Sequence, residues 1–522
     1  MESLYDKLIA YSESDFYGFH MPGHKRNGGL LTENLPFEMD ITEIEGFDDL
    51  HHADGILKDA QVLAAQVYHA DETHFLINGS TAGILSAILG CTQKCDQILV
   101  ARNCHKSVYH AMYMNELKPI YLYPQYEPEL ELNGEVSVED VRRKLAANPD
   151  TRAVVLVSPT YDGVVSDIAA IAEIVHTCGI PLIVDEAHGA HFGFHPYFPK
   201  NANEKGADIV IHSLHKTLPA LTQTALLHVN GSLVNRRRIK QYLDMLQTSS
   251  PSYVLMASID ACVRMLADDC RREQIFDSYV EMLRETRAQL QDLKWLQMLE
   301  TENFDPSKVV ISTKRAMGTD PLEKAMGTDP LASHGDGPFG ESHGDRPSGK
   351  MLYHELLEKY HLQMEMLTDS YVLAMTTVGD TEAGMQRLAR ALHEIDADLD
   401  VQMQRMQHKR EDCEVICGDG NWKVDNARKI PPQPHAEVVY GIAEMMERKL
   451  AGVDTFAQKT FAESVGYIST EYAYIYPPGT PILVPGERVT KEAAELLETY
   501  RKLGFQIEGL GEKDKIEVWI NG

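Results

Sequence analysis

The sequence predicts an α/β fold: a large domain on a mostly parallel sheet, then a small α+β domain and a C-terminal α+β unit. Three observations lead there. Between about residues 70 and 230, short apolar runs alternate with segments of helical periodicity. The runs are apolar on both faces, as strands covered by helices on both sides of a sheet must be. The 522 residues exceed one ordinary domain and fit two or three.

Residues 1–60 read as an N-terminal arm that ends in an acidic stretch. The large domain is expected over 61–252. Its strands are read at "HFLI" (74–77), "QILVA" (97–101), "AVVLV" (153–157), "PLIVD" (181–185), "DIVIH" (208–212) and "ALLHV" (225–229). Ile168, Ile171, Ile174 and Val175 mark one face of an intervening helix. Residues 253–416 read as a connecting helix, roughly 253–294, and the small α+β domain. There "SKVVIST" (307–313) and "SYVLAMTTV" (370–378) are strands around the helix "MLYHELLEKY" (351–360). Within it, 315–349 repeats "AMGTDPL" and "SHGD". This segment is rich in Gly, Pro and Asp and poor in apolar residues, so it reads as a disordered insert. Residues 417–434 are a Gly/Pro-rich linker, and 435–522 form the third unit.

Composition narrows the function. A formal charge of −29 argues against nucleic acid and against an anionic membrane surface. It fits a cytoplasmic enzyme. The first twenty residues lack a basic region followed by an apolar one, so no signal peptide is expected. No apolar run reaches the ~18 residues of a spanning helix. Eight cysteines are too sparse for a disulfide framework. Cys91/Cys95 and Cys413/Cys417 each resemble half a metal site without a second half, so reduced thiols are expected. For His334 and His343, inside the insert, a metal role competes with plain tandem duplication. No metal is expected.

Ligands of open α/β sheets lie beyond the carboxyl ends of the strands. After the first run, Gly79, Ser80 and Thr81 open a helix. They are an anion site or a plain N-cap by Ser80. After the second, His105 opens another helix, as a structural histidine or a flat ring for stacking on an aromatic ligand. "PLIVDEAHGAH" ends in Asp185, Glu186, His188 and His191. A helicase DEAH box would need an upstream phosphate loop. The near match "GDRPSGKM" (344–351) lies downstream and puts Met351 where a hydroxyl belongs. A metal at His188/His191 is a second reading. A third is Asp185 buried against a ligand nitrogen, favouring its protonated form. Finally, Ser213, His215 and Lys216 follow "DIVIH". Lys216 reaches water or is a nucleophile in a cleft. Together these pieces suit one ligand: phosphate at Gly79–Thr81 and Ser213, a ring on His105, its nitrogen on Asp185, an aldehyde carbon on Lys216. That ligand is pyridoxal 5′-phosphate.

The sequence also resembles a known family. "FHMPGHKRN" (19–27), "DITEIEGFDDLHHADG" (40–55), "NGSTAG" (78–83), "RNCHKS" (102–107), "SPTYDG" (158–163), "VDEAHGAH" (184–191), "SLHKTLPALTQTALLHV" (213–229), "TSSPSY" (248–253) and "YPPGTPILVPGE" (476–487) are similar to motifs of the ornithine/lysine/arginine decarboxylases, which have the aspartate-aminotransferase fold. The chain resembles the short members that lack an N-terminal wing domain; the 315–349 insert departs from the pattern. The resemblance implies a lyase that converts arginine, lysine or ornithine to agmatine, cadaverine or putrescine and CO2. It implies Lys216 bonded to the cofactor aldehyde and Asp185 at the ring nitrogen. His105 and Ala187 would lie on opposite ring faces, Ser80, Thr81 and Ser213 at the phosphate, and His188 near the ring hydroxyl. It implies a homodimer or higher homo-oligomer with the site at the interface, where Thr248 and Ser249 reach the neighbour's phosphate. Lys216 or His215 would return a proton to Cα. For the substrate's distal cation the carboxylates Asp40, Glu43, Glu45, Asp48, Asp49 and Glu471 are candidates; a solvated acidic face is the alternative for each. Transamination or aldol cleavage on the same scaffold is the rival reaction, and a non-catalytic regulatory protein the remote one.

Overall fold

The computed structural model describes residues 2–16, 20–22, 24–27, 35–127, 130, 132–313, 348–417, 433–452, 454–476 and 479–520, with 406–417 as backbone only. The insert with His334 and His343, most of the linker, and the side chains of Cys413 and Cys417 lie outside the described residues.

The large domain carries seven strands: β1 (Glu72–Leu76), β2 (Gln97–Ala101), β3 (Lys118–Leu122), β4 (Thr151–Val157), β5 (Leu182–Asp185), β6 (Ile209–His212) and β7 (Ala225–Val229). Their order is β1-β7-β6-β5-β4-β2-β3. β7 runs antiparallel to both neighbours. The remaining pairs are parallel. The mostly parallel sheet expected from the apolar runs is therefore present. Every residue of β5 and β6 is buried, which is why those runs are apolar on both faces. Side chains alternate between two cores, one on each side. Phe75 and Leu226 join the first; Leu76 and Leu227 join the second.

β3 did not stand out in the sequence. It contains Lys118 and Pro119 and lies at the sheet edge, where a missing donor is tolerated. The connecting helix is two helices, Tyr253–Ala267 and Asp269–Gln289. Asp268 breaks it: its backbone is extended, and its carboxylate accepts the N–H of Arg271. The arm is packed rather than loose. Helix Leu4–Ser12 buries Leu4 and Leu8, and the Leu4 N–H donates to Asp260 at 2.9 Å.

The small domain is a four-stranded antiparallel sheet of Gln297–Leu299, Lys308–Ser312, Tyr371–Met375 and Met366–Leu367. Gly349, assigned above to the insert, opens the helix Gly349–Glu358, capped by Ser348. The long helix Glu382–Cys417 follows. The C-terminal unit carries a five-stranded sheet and the helices Ile442–Ala451 and Lys491–Lys502. It is tied to the large domain through Arg102, just past β2. This fully buried guanidinium donates to the carbonyls of Pro481 and Ile482 and to Glu487 at 3.1 Å. Among the described residues, no helix is long and apolar enough to cross a membrane.

Candidate active site

The parallel strands β1, β2, β5 and β6 end on one edge of the sheet, and the four sequence motifs follow them there. After β1 the chain turns through Gly79, at φ +71°, into the helix Gly79–Cys91. A side chain at that φ would be strained, so glycine suits the turn. Asn78 precedes the helix without a side-chain cap. The Ser80 hydroxyl does not serve as the cap either; it lies 2.5 Å from the Ser213 hydroxyl, just past β6. The first turn therefore offers N–H groups, the positive helix end and a pair of hydroxyls to an anion. Thr81 is exposed on the same turn. Thr248 lies beside the turn of its own chain, its N–H donating to Asn78 Oδ1 at 3.2 Å, and Ser249 next to it is exposed.

Asp185 ends β5 and is 4% exposed. Its Oδ1 accepts the N–H of the buried Ala187 at 3.1 Å. Burial pushes its pKa up, and the charge of Lys216 opposes the shift. Lys216 rides on the short helical turn Leu214–Thr217 after β6. Its Nζ is 2.9 Å from His188 Nε2. Burial lowers its pKa, Asp185 resists, and the cation of Lys308 adds to the lowering. His188 is held well below its ordinary pKa by burial and by Lys216, so it is neutral and Lys216 donates to it. His188 Nδ1 is buried without a partner among the described residues. The Tyr161 ring stands 4.5 Å from the His188 ring.

His105 caps the helix Lys106–Met114, its Nδ1 accepting the Ser107 N–H. Burial and the Lys216 charge bring its pKa down to about 4. Gly479, from the C-terminal unit, closes over this ring; a Cβ there would sit 3.8 Å from His105 Cδ2. His215 Nδ1 donates to the Thr224 carbonyl at 2.9 Å, and burial lowers its pKa.

The competing readings of the same run find other partners. Glu186 points away from the cleft and accepts from Ala202 N–H at 2.9 Å, with His212 Nε2 at 2.7 Å. His191 pairs with Asp305 at 3.1 Å, and Asp305 with Lys308 at 2.9 Å. Among the described residues no group of three or more His, Cys, Asp or Glu is arranged to hold a metal ion. Several acidic candidates have structural duties. Asp48 accepts the N–H groups of Asp54, Gly55 and Leu57. Asp49 accepts from His51, and Glu471 from Gly511 and Glu517. Asp40 pairs with His24. Glu45 is exposed, and Glu43 Oε1 is buried without a partner among the described residues.

Sequence reasoning gave no role to Tyr161, Lys308 or Glu365. Tyr161 lies inside a quoted motif, but nothing in the motif points its ring at His188. Glu365 accepts the Tyr161 O–H from the small domain, and no local pattern marks it.

Comparison with known proteins gives the family. Residues 2–329 match the model of the Orn/Lys/Arg decarboxylase major domain, and 446–511 that of the family's C-terminal domain. An uncharacterized protein of Bacillus subtilis, YaaO, is 34% identical over 97% of this chain and 95% of its own. An arginine decarboxylase of Bacillus anthracis is 30% identical, over 97% of this chain and 94% of its own. The solved lysine decarboxylase LdcF of Francisella novicida superposes with a TM-score of 0.78 at 19% identity, covering 99% of this chain and 81% of that one. The chain belongs to the Orn/Lys/Arg decarboxylase family.

Proposed function

We propose that this protein uses pyridoxal 5′-phosphate to remove the α-carboxyl of a basic amino acid as CO2, with arginine as its substrate. The observation that carries the reading is the placement of Lys216, His188 and Asp185 in one buried cluster beside the uncapped start of helix Gly79–Cys91. The cofactor suits this cluster in three ways. Asp185 is buried, and a ring cation would reverse the cost of its charge. His188 Nδ1 is a buried donor in want of an acceptor. The paired hydroxyls of Ser80 and Ser213 sit at a helix start made for an anion. Ser80, Thr81 and Ser213 would hold the phosphate, Lys216 the aldehyde carbon, Asp185 the ring nitrogen, and His105 and Ala187 the two ring faces. When bound, the group supplies an electron sink next to the substrate's Cα.

The chain's own groups do the rest. Burial keeps a larger fraction of Lys216 as the free amine, and His188 orients it. Asp185, Ala187, His188 and Ser213 are all buried, so water has little access to the reacting end. Once CO2 has left, a proton must reach Cα, and the Lys216 ammonium and His215 are the donors at hand. Tethering at Nδ1 fixes the direction of the His215 ring. The exposed Thr248 and Ser249, next to the phosphate turn, are the residues we assign to the edge of a homodimer interface.

Arginine is favoured by the full-length relatives of that name at 30% identity. The test is to incubate the purified protein with arginine, lysine and ornithine and to measure CO2 and amine. Agmatine in excess of cadaverine and putrescine is expected. A keto acid in place of CO2 would give the site to transamination instead.

A further inference from the structure

A basic substrate held at Lys216 carries a second positive charge, and that charge needs an anion in the same cleft. Asp48, Asp49 and Glu471 spend their carboxylates on backbone N–H groups, and Asp40 faces His24. Asp185 is deep in the cluster, beside Ala187. Glu365 differs from all of these. It is exposed at the start of the small-domain strand Met366–Leu367, and its carboxylate accepts the Tyr161 O–H. Tyr161 packs on His188, which accepts from Lys216. An unbroken line of contacts thus runs from the reactive amine to this carboxylate. No Lys, Arg or His among the described residues pairs with it. Lys216 feels the charge of Asp185 and, more weakly, that of Glu365.

We propose that Glu365, steadied by Tyr161, is the residue that receives the distal cation of the substrate and so selects basic amino acids; this rests on the decarboxylase reading above. The Tyr161 hydroxyl occupies one acceptor position, and an ionised carboxylate has about four, so a guanidinium or ammonium can still be met. Large and small domains each supply part of the pocket, Lys216 and Tyr161 from one and Glu365 from the other.

Glu365→Gln keeps the shape and the acceptor for Tyr161 and removes the charge. In the full-length holoenzyme it should raise KM for the preferred basic amino acid about ten- to a hundredfold, the worth of a charge-assisted hydrogen bond. The kcat should change little, because the contact is made in ground state and transition state alike. The cofactor's visible absorbance should be unaltered, and Glu365→Asp should recover part of the loss. An unchanged KM in Glu365→Gln overturns the inference and leaves decarboxylation standing. So does a fall in kcat and cofactor absorbance with KM unmoved, which would make Glu365 a structural support. Wild-type protein that releases no CO2 from any of the three amino acids fails the underlying reading, whatever Glu365 does.

Discussion

Lys216 and Asp185 are opposite charges whose pKa values are displaced by the same cause. Burial lowers one and raises the other, and each partly restores its partner. Such displaced pairs are where chemistry is expected. Lys216→Ala should abolish turnover and the borohydride-sensitive visible absorbance of the holoenzyme, with the protein still folded. Residual CO2 release at a normal rate would remove the lysine from the mechanism. Asp185→Asn should keep fold and cofactor but cost at least about a hundredfold in kcat, the order seen when a partner of developing charge is lost. Steady-state rates on the preferred amino acid decide this. Their positions at the sheet edge were legible in the sequence because Asp185 ends one apolar run and Lys216 comes four residues after another. His188 was legible as a cleft residue, but its bond to Lys216 was not, since twenty-eight positions separate them. Glu365 and Tyr161 lie 204 positions apart, and only folding brings them together.

At the scale of elements, the six apolar runs correspond to strands because strands covered on both faces leave a nearly continuous apolar signature, in the antiparallel β7 as in its parallel neighbours. The edge strand β3 and the two- and three-residue strands of the small sheet leave none. They are half solvated or too short, and their pairing is decided by partners far along the chain. Arg102 was equally silent, an arginine at a strand end with no mark of its burial. Burial works against both charges of its pair with Glu487. Glu487 and nearby tyrosine hydroxyls still hold the guanidinium above its ordinary range, while burial keeps Glu487 above its own. Arginine stays charged in either case. The contact stands as a salt bridge on its geometry, 3.1 Å from guanidinium to carboxylate, and the Val484 N–H supports Glu487 at 3.0 Å. Arg102→Leu leaves Glu487 buried alone and should cost about 3–5 kcal/mol by urea unfolding. Arg102→Leu with Glu487→Leu should recover much of that. If the single variant is as stable as wild type, the pair does not fasten the C-terminal unit to the large domain.

The whole molecule carries a set of buried neutral histidines, and they set how it meets acid. Beneath the sheet edge a chain of contacts runs from Thr73 Oγ1 to His228 Nδ1 (2.7 Å), from His228 Nε2 to His212 Nδ1 (3.0 Å), and from His212 Nε2 to Glu186 (2.7 Å). Each contact needs one donor and one acceptor, which two neutral rings supply. A further proton on both rings at once would set two N–H donors face to face between them. In keeping with this, burial brings His212 down to about 3 and holds His228 well below its usual value. His188 and His105 are lowered likewise. Unfolding releases these rings to an ordinary pKa near 6.5, so between that value and the folded one the unfolded chain binds more protons. Their contribution is therefore complete above about pH 6.5 and declines as pH falls, by about 1.4 kcal/mol per pH unit for each ring. Glu186 works the other way. Burial raises it to about 8, so its contribution is present below its unfolded value and is lost as pH rises towards 8. Between pH 6.5 and 5 the lowered rings, His110 and His215 among them, act against the raised carboxyls Glu186, Asp185 and Glu487, and the balance is expected to follow the rings. The urea midpoint, measured at one protein concentration, should fall between pH 7 and pH 5. His212→Gln, which removes one titrating ring, should show a shallower fall. A midpoint that is flat or rises on acidification would mean that these rings do not outweigh the raised carboxyls and do not set how the protein meets acid.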